Sequence, residues 1–137
     1  MRKHSNGVWR ARAAGVVTAL ATAATMASVA PVQAQSTAQL SAWVSDGWGG
    51  GTITSRPAGI NCHQSAWDPY ASNEPQPYPT GACTATFEVG TTVTFTATPD
   101  SGSYVNDGPT PHSMTIRTGY NATWVMFCPS GGLCSAG

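Results

Sequence analysis

Cys83-Thr84-Ala85-Thr86-Phe87-Glu88-Val89-Gly90-Thr91-Thr92-Val93-Thr94-Phe95-Thr96-Ala97-Thr98-Pro99 is the stretch that decides the fold. In its second half Val93, Phe95 and Ala97 alternate with Thr92, Thr94, Thr96 and Thr98. That period of two describes a half-buried β-strand with a threonine-covered solvent face. Cys83–Phe87 repeats the pattern, and Glu88-Val89-Gly90 reads as the turn of a hairpin joining the two. Four weaker strands follow from the same signals: Gln39–Val44, Gly51–Ser55, Met114–Arg117 and Ala122–Phe127. Between them lie Asp46-Gly47-Trp48-Gly49-Gly50-Gly51, Pro99-Asp100-Ser101-Gly102 and Asn106-Asp107-Gly108-Pro109, all sequences that suit tight turns. No stretch after Gln35 carries a helical period. The chain therefore predicts an all-β fold, a small and mostly antiparallel sheet or sandwich of about six short strands. A β-grasp-like sheet is the alternative.

The start of the chain has a different character. Arg2, Lys3, His4, Arg10 and Arg12 precede an uncharged run from Ala13 to Ala30, which ends in Val32-Gln33-Ala34. This is the layout of a secretory signal peptide, expected over residues 1–34, with one secreted domain over 35–137. The Ala- and Thr-rich run falls short of the roughly 20 strongly apolar residues of a membrane anchor. Residues 35–137 keep only Arg56 and Arg117 against all six acids, a formal charge of −4. So sparse a supply of cations argues against nucleic-acid and anionic-membrane partners. A monomer is expected.

Cys62, Cys83, Cys128 and Cys134 all lie in the expected exported part. An even count in a small secreted domain predicts disulfides, and four cysteines allow three pairings. The favoured pairing is Cys62–Cys83 with Cys128–Cys134, each bond closing a local loop. The first would tie the base of an insert at 63–82, HQSAWDPYASNEPQPYPTGA. Pro69, Pro75, Pro77 and Pro79 exclude a central strand there and predict a long loop, partly extended in its second half.

The run Gly51-Thr52-Ile53-Thr54-Ser55-Arg56-Pro57-Ala58-Gly59-Ile60-Asn61-Cys62, resumed at Cys83–Pro99, resembles the divergent InlB-type B-repeats of bacterial surface proteins. Pro57, Gly59, Ile60, Cys62, Cys83, Phe87, Gly90, Val93, Ala97 and Pro99 carry the likeness. It departs from the family in the long Cys62–Cys83 gap, in Ser103-Tyr104-Val105-Asn106-Asp107 where the family has a Gly-Trp-Ser-Gly-x-Cys block, and in the closing loop Cys128–Cys134. The resemblance implies a surface or secreted module for spacing or adhesion, with no catalytic residues to carry over.

Signals for catalysis are thin. His63 and His112 are the histidines outside the leader, and no nucleophile elbow frames a serine. Glu74 and Glu88 read as solvated acids, Asn106-Asp107-Gly108 as a turn and not a metal loop, and Asn121-Ala122-Thr123 as a sequon. No cofactor, metal or enzymatic activity is expected. A hydrolase would require His63 or His112 against a carboxylate in a cleft. Aromatics are better represented. Trp124 is expected in the core and Trp43 on either face. Trp48, in a glycine turn, and Trp67, Tyr70 and Tyr78, in the insert, are the candidate binding residues. The competing reading packs the insert aromatics into a small core of their own. The function expected is a secreted, non-enzymatic β module binding an extracellular protein or glycan; the alternative is a small inhibitor of an extracellular hydrolase.

Overall fold

The computed structural model describes residues 31, 33–44 and 47–134. The expected signal peptide falls outside these apart from Pro31, Gln33 and Ala34, as does Asp46 of the first glycine turn. Nine strands form: β1 (Thr37–Val44), β2 (Gly51–Arg56), β3 (Asn61–Gln64), β4 (Thr80–Ala82), β5 (Thr84–Glu88), β6 (Thr92–Pro99), β7 (Ser103–Thr110), β8 (Ser113–Thr115) and β9 (Asn121–Pro129). They make a four-stranded sheet, β5-β1-β9-β7, and a five-stranded sheet, β4-β3-β2-β6-β8. All pairs are antiparallel except β1 with β9. The fold is the expected all-β one, in two sheets and not as a β-grasp.

Both sheets turn their apolar faces onto one core. Leu40, Phe87, Val125 and Phe127 come from the first sheet, Ile53, Cys62, Val93 and Phe95 from the second, and Ile60 and Ile116 from the connections. The alternation of Thr92–Thr98 holds, with Val93 and Phe95 buried and the threonines exposed. In β9 Thr123, Val125 and Phe127 point inward, so Trp124 is not a core residue but lies half-buried on the outer face.

Two expected hairpins do not form, because the chain repeatedly crosses from one sheet to the other. β5 pairs with β1, and β6 pairs with β2. The turn between them gives its N–H groups to both sheets, Val89 to Ser36 O and Gly90 to Ile116 O. β1 and β2, on either side of the glycine turn, likewise belong to different sheets. Asn106-Asp107-Gly108-Pro109 is no turn between strands. It is an irregular stretch inside β7, where the register to β9 shifts, and Gly108 has φ 86°. The insert contributes two short strand ends, His63-Gln64 in β3 and Thr80–Ala82 as the edge strand β4, while its prolines stay outside strands.

Both favoured disulfides are present, Cys62–Cys83 over a separation of 21 residues and Cys128–Cys134 over 6. Because the longer loop leaves more freedom in the unfolded chain, replacing Cys62 and Cys83 by serine should cost roughly 3 kcal/mol and replacing Cys128 and Cys134 roughly 2. Urea unfolding of the two double variants checks the order. A second expectation concerns Gly51, buried flat against the Phe127 ring with no room for a Cβ. Gly51→Ala should destabilise by about 1–3 kcal/mol, read in the same unfolding curves.

Candidate functional site

Trp48 is held out by the glycines around it. Gly49 lies flush on β9, donating its N–H to Phe127 O at 2.9 Å, and a Cβ there would strike the Cys128 backbone. The loop can follow β9 this closely only by forcing Trp48 into a left-handed conformation, φ 64°. Trp48 is the one non-glycine residue with positive φ among the described residues. A bulky side chain there stores about 1–3 kcal/mol of strain, a feature that clusters at functional sites.

The insert folds onto this displayed ring. Trp67 N–H donates to Trp48 O at 3.0 Å, and the two indoles meet edge to face, 6.3 Å between centroids at 76°. Tyr70 meets the same indole at 6.2 Å and 89°. Local hydrogen bonds fix both insert residues. Trp67 Nε1 donates to Glu74 O, and Asp68 Oδ1 accepts from the N–H groups of Tyr70 and Ala71. Across from them stands the loop closed by Cys128–Cys134. Trp48, Trp67, Asp68, Pro69 and Tyr70 on one side, with Pro129, Gly131, Gly132 and Leu133 on the other, enclose a groove of about 320 Å³.

Three of the four candidate binding residues thus converge, and the insert does not form a core of its own. Trp67 is half-buried against Trp48, and Tyr70 is 79% exposed. Tyr78 does not join them. It stands 91% exposed over a second groove of about 480 Å³ with Pro79, Ser41, Trp43 and Thr84. Trp43 belongs to that second surface, on the outer face of β1, where its Nε1 donates to Tyr120 OH at 3.0 Å. The alternation of β1, with Leu40 and Ala42 buried, is the signal that sets Trp43 facing out.

The remaining chemical candidates resolve as follows. His63 Nε2 lies 2.9 Å from Asp100 Oδ2, both partly exposed, and neither residue lines either of these grooves. A carboxylate therefore meets His63, as a hydrolase would need, but the pair lies outside both of these grooves. His112 contributes its backbone carbonyl to Phe95 N–H. Glu74 is exposed in the insert and Glu88 ends β5. Among the described residues no three His, Cys, Asp or Glu side chains gather into a metal-binding group, and no helix is long and apolar enough to cross a membrane. The sequon asparagine is occupied structurally. Asn121 is 3% exposed, accepts from Arg117 N–H, and donates through Nδ2 to the carbonyls of Gln39, Arg117 and Gly119. A glycan on that nitrogen would remove these bonds. Compared with known families, curated proteins and solved structures, the chain matches none.

The strain at Trp48 gives a direct test of its role. Trp48→Gly relieves the left-handed backbone while losing two ring contacts of about 0.5–1.5 kcal/mol each, so stability should stay within about 1 kcal/mol of the parent. Trp48→Ala loses the contacts and keeps a Cβ in that conformation, and should fall below Trp48→Gly by about 1 kcal/mol. Urea denaturation of the pair decides; equal losses would remove the strain argument.

Proposed function

We propose that this protein is a secreted, non-enzymatic β module that binds a protein or glycan partner outside the cell through the groove of Trp48, Trp67 and Tyr70. One observation carries the reading: three aromatic rings, one from the glycine loop and two from the insert, meet in a concave, apolar, solvent-open site. Aromatic anchors in a preformed groove are what binding surfaces use, because their large rigid faces bury area at small entropic cost. The scaffold is consistent with export, since two disulfides suit an oxidising compartment. The negative balance of residues 35–137 favours partners other than nucleic acid. The likeness to InlB-type B-repeats supports the same class of role, an extracellular module for spacing or adhesion.

A second reading, inhibition of an extracellular hydrolase, has one observation in its favour. The insert is already ordered by its own bonds, Gln64 Nε2 to Pro77 O and Trp67 Nε1 to Glu74 O, above a disulfide-tied base. A loop fixed in this way loses little freedom on entering a cleft.

Titration of the purified protein against cell-wall polysaccharides and extracellular protein extracts, followed by tryptophan fluorescence, tests the first reading. Trp67→Ala should weaken any binding found by roughly tenfold or more, as truncation of an aromatic anchor does. Binding that is unchanged in Trp67→Ala would count decisively against the groove. Activity assays of secreted proteases with excess protein form the second arm, and full protease activity there eliminates the inhibitor.

A further inference from the structure

We infer that the groove of Trp48, Trp67 and Tyr70 recognises a quaternary ammonium group, a methylated cation of the choline type. This rests on the groove being the binding site, and adds the chemistry of what enters it.

The first argument is the disposition of the rings. Trp67 and Tyr70 stand at 76° and 89° to Trp48, with centroids 6.3 and 6.2 Å away. All three residues line the groove, and the face of an aromatic ring carries the negative end of its quadrupole. A cation in a groove lined by several aromatic rings is attracted by each ring face within about 6 Å of it.

The second argument is charge. Asp68 is the one charged residue lining the groove, and its Oδ1 is fixed by two backbone N–H groups. Neither Arg56 nor Arg117 lines it. The site is electronegative within a region of charge −4, so a cation is favoured both at contact and on approach.

Third, apolar side chains dominate the lining: the Trp67 indole N–H is already given to Glu74 O, and the opposite wall is Pro129, Gly131, Gly132 and Leu133. A primary ammonium would surrender strong hydration there with one carboxylate in return. A trimethylammonium group has no N–H to satisfy and an apolar surface, so aromatic walls and one carboxylate meet all its needs. The volume of about 320 Å³ admits such a group with part of its substituent.

The test uses tryptophan fluorescence and calorimetry with the oxidised protein. Choline and tetramethylammonium should bind with a Kd of roughly millimolar or tighter. The uncharged isostere 3,3-dimethylbutan-1-ol, and ethanolamine, which lacks the methyl groups, should each bind roughly tenfold more weakly. Asp68→Asn keeps an oxygen for the Tyr70 and Ala71 N–H groups, and should weaken choline several-fold while leaving the isostere unchanged. Trp67→Leu should abolish choline binding, with a single cooperative unfolding transition of the β sandwich as its folding control. Vesicles of phosphatidylcholine against phosphatidylethanolamine distinguish a lipid source of the group from a soluble one. Equal binding of choline and its isostere overturns the inference while leaving an apolar binding groove. No choline binding, alongside polysaccharide or protein binding that Trp67→Ala disrupts, also overturns it and leaves the proposed function standing. If nothing binds in either experiment, both readings fall.

Discussion

The Cys62–Cys83 bond is the constraint on which the other features depend, because it joins the two sheets and the insert at a single point. Cys62 is fully buried in β3 of the five-stranded sheet. Cys83 lies between β4 and β5, immediately before the four-stranded sheet's β5, and its carbonyl accepts the N–H of Ala42 in β1. One covalent link therefore fixes the spacing of the layers at the place where the insert leaves and returns. The loop it closes would otherwise carry a large entropic cost, since most of it makes no ladder bonds. With its ends held, a few local hydrogen bonds suffice to order Trp67 and Tyr70. The cross-chain bond from Trp67 N–H to Trp48 O then seats the insert on the rest of the domain.

The site's other half is set by β9. This strand lies between β1 and β7, and its inward residues from Asn121 to Phe127 are buried throughout. Phe127 fills the space that Gly51 leaves free, while its carbonyl and the Cys128 backbone leave no room for side chains at Gly47 or Gly49. Packing against β9 thus forces the loop to carry its single large side chain outward. The half-buried position of Trp48 outside the core is a consequence of core packing, and the strain it bears is offset by the many contacts around it. The same strand ends in Cys128, whose bond to Cys134 brings Leu133 round to the far side of the groove.

Period-two alternation made the strand faces legible. Thr92–Thr98 showed which residues would face inward, and cysteine spacing gave the disulfides. Ala122–Phe127 carries large apolar residues on both faces, which is why sequence alone points Trp124 into the core that Thr123, Val125 and Phe127 fill. Pairing was less legible, for a reason visible in Glu88-Val89-Gly90. A short turn between two alternating segments looks local, yet its N–H groups bond to Ser36, just before β1, and to Ile116, just after β8, strands that belong to different sheets. Sequence shows that a turn exists but not whether the strands beside it pair or part. The short strands β3 and β4 carry too few residues for any period, and the bulge in β7 borrows the composition of a turn. At the site, Trp48, Trp67 and Tyr70 could be picked out one by one as exposed aromatics. Their meeting depends on a contact across nineteen positions between Trp48 and Trp67, and nothing local separates Tyr70 from Tyr78, which ends over a different groove.

The residues that carry the likeness to InlB-type repeats have structural work in this fold. Ile60, Phe87 and Val93 are in the core, Gly59 lies against the Phe87 ring, and Cys62 and Cys83 join the layers. Ser55 fixes the turn between, donating to Pro57 O and accepting from Ile60 N–H. These positions explain why the chain folds, and for that reason they are silent about what it binds. The groove is built elsewhere, from the glycine loop, the long insert and the closing disulfide loop. Two of these are the places where the chain departs from the repeat pattern. With the core positions committed to folding, the loops that converge on one aromatic groove are where specific chemistry can be carried.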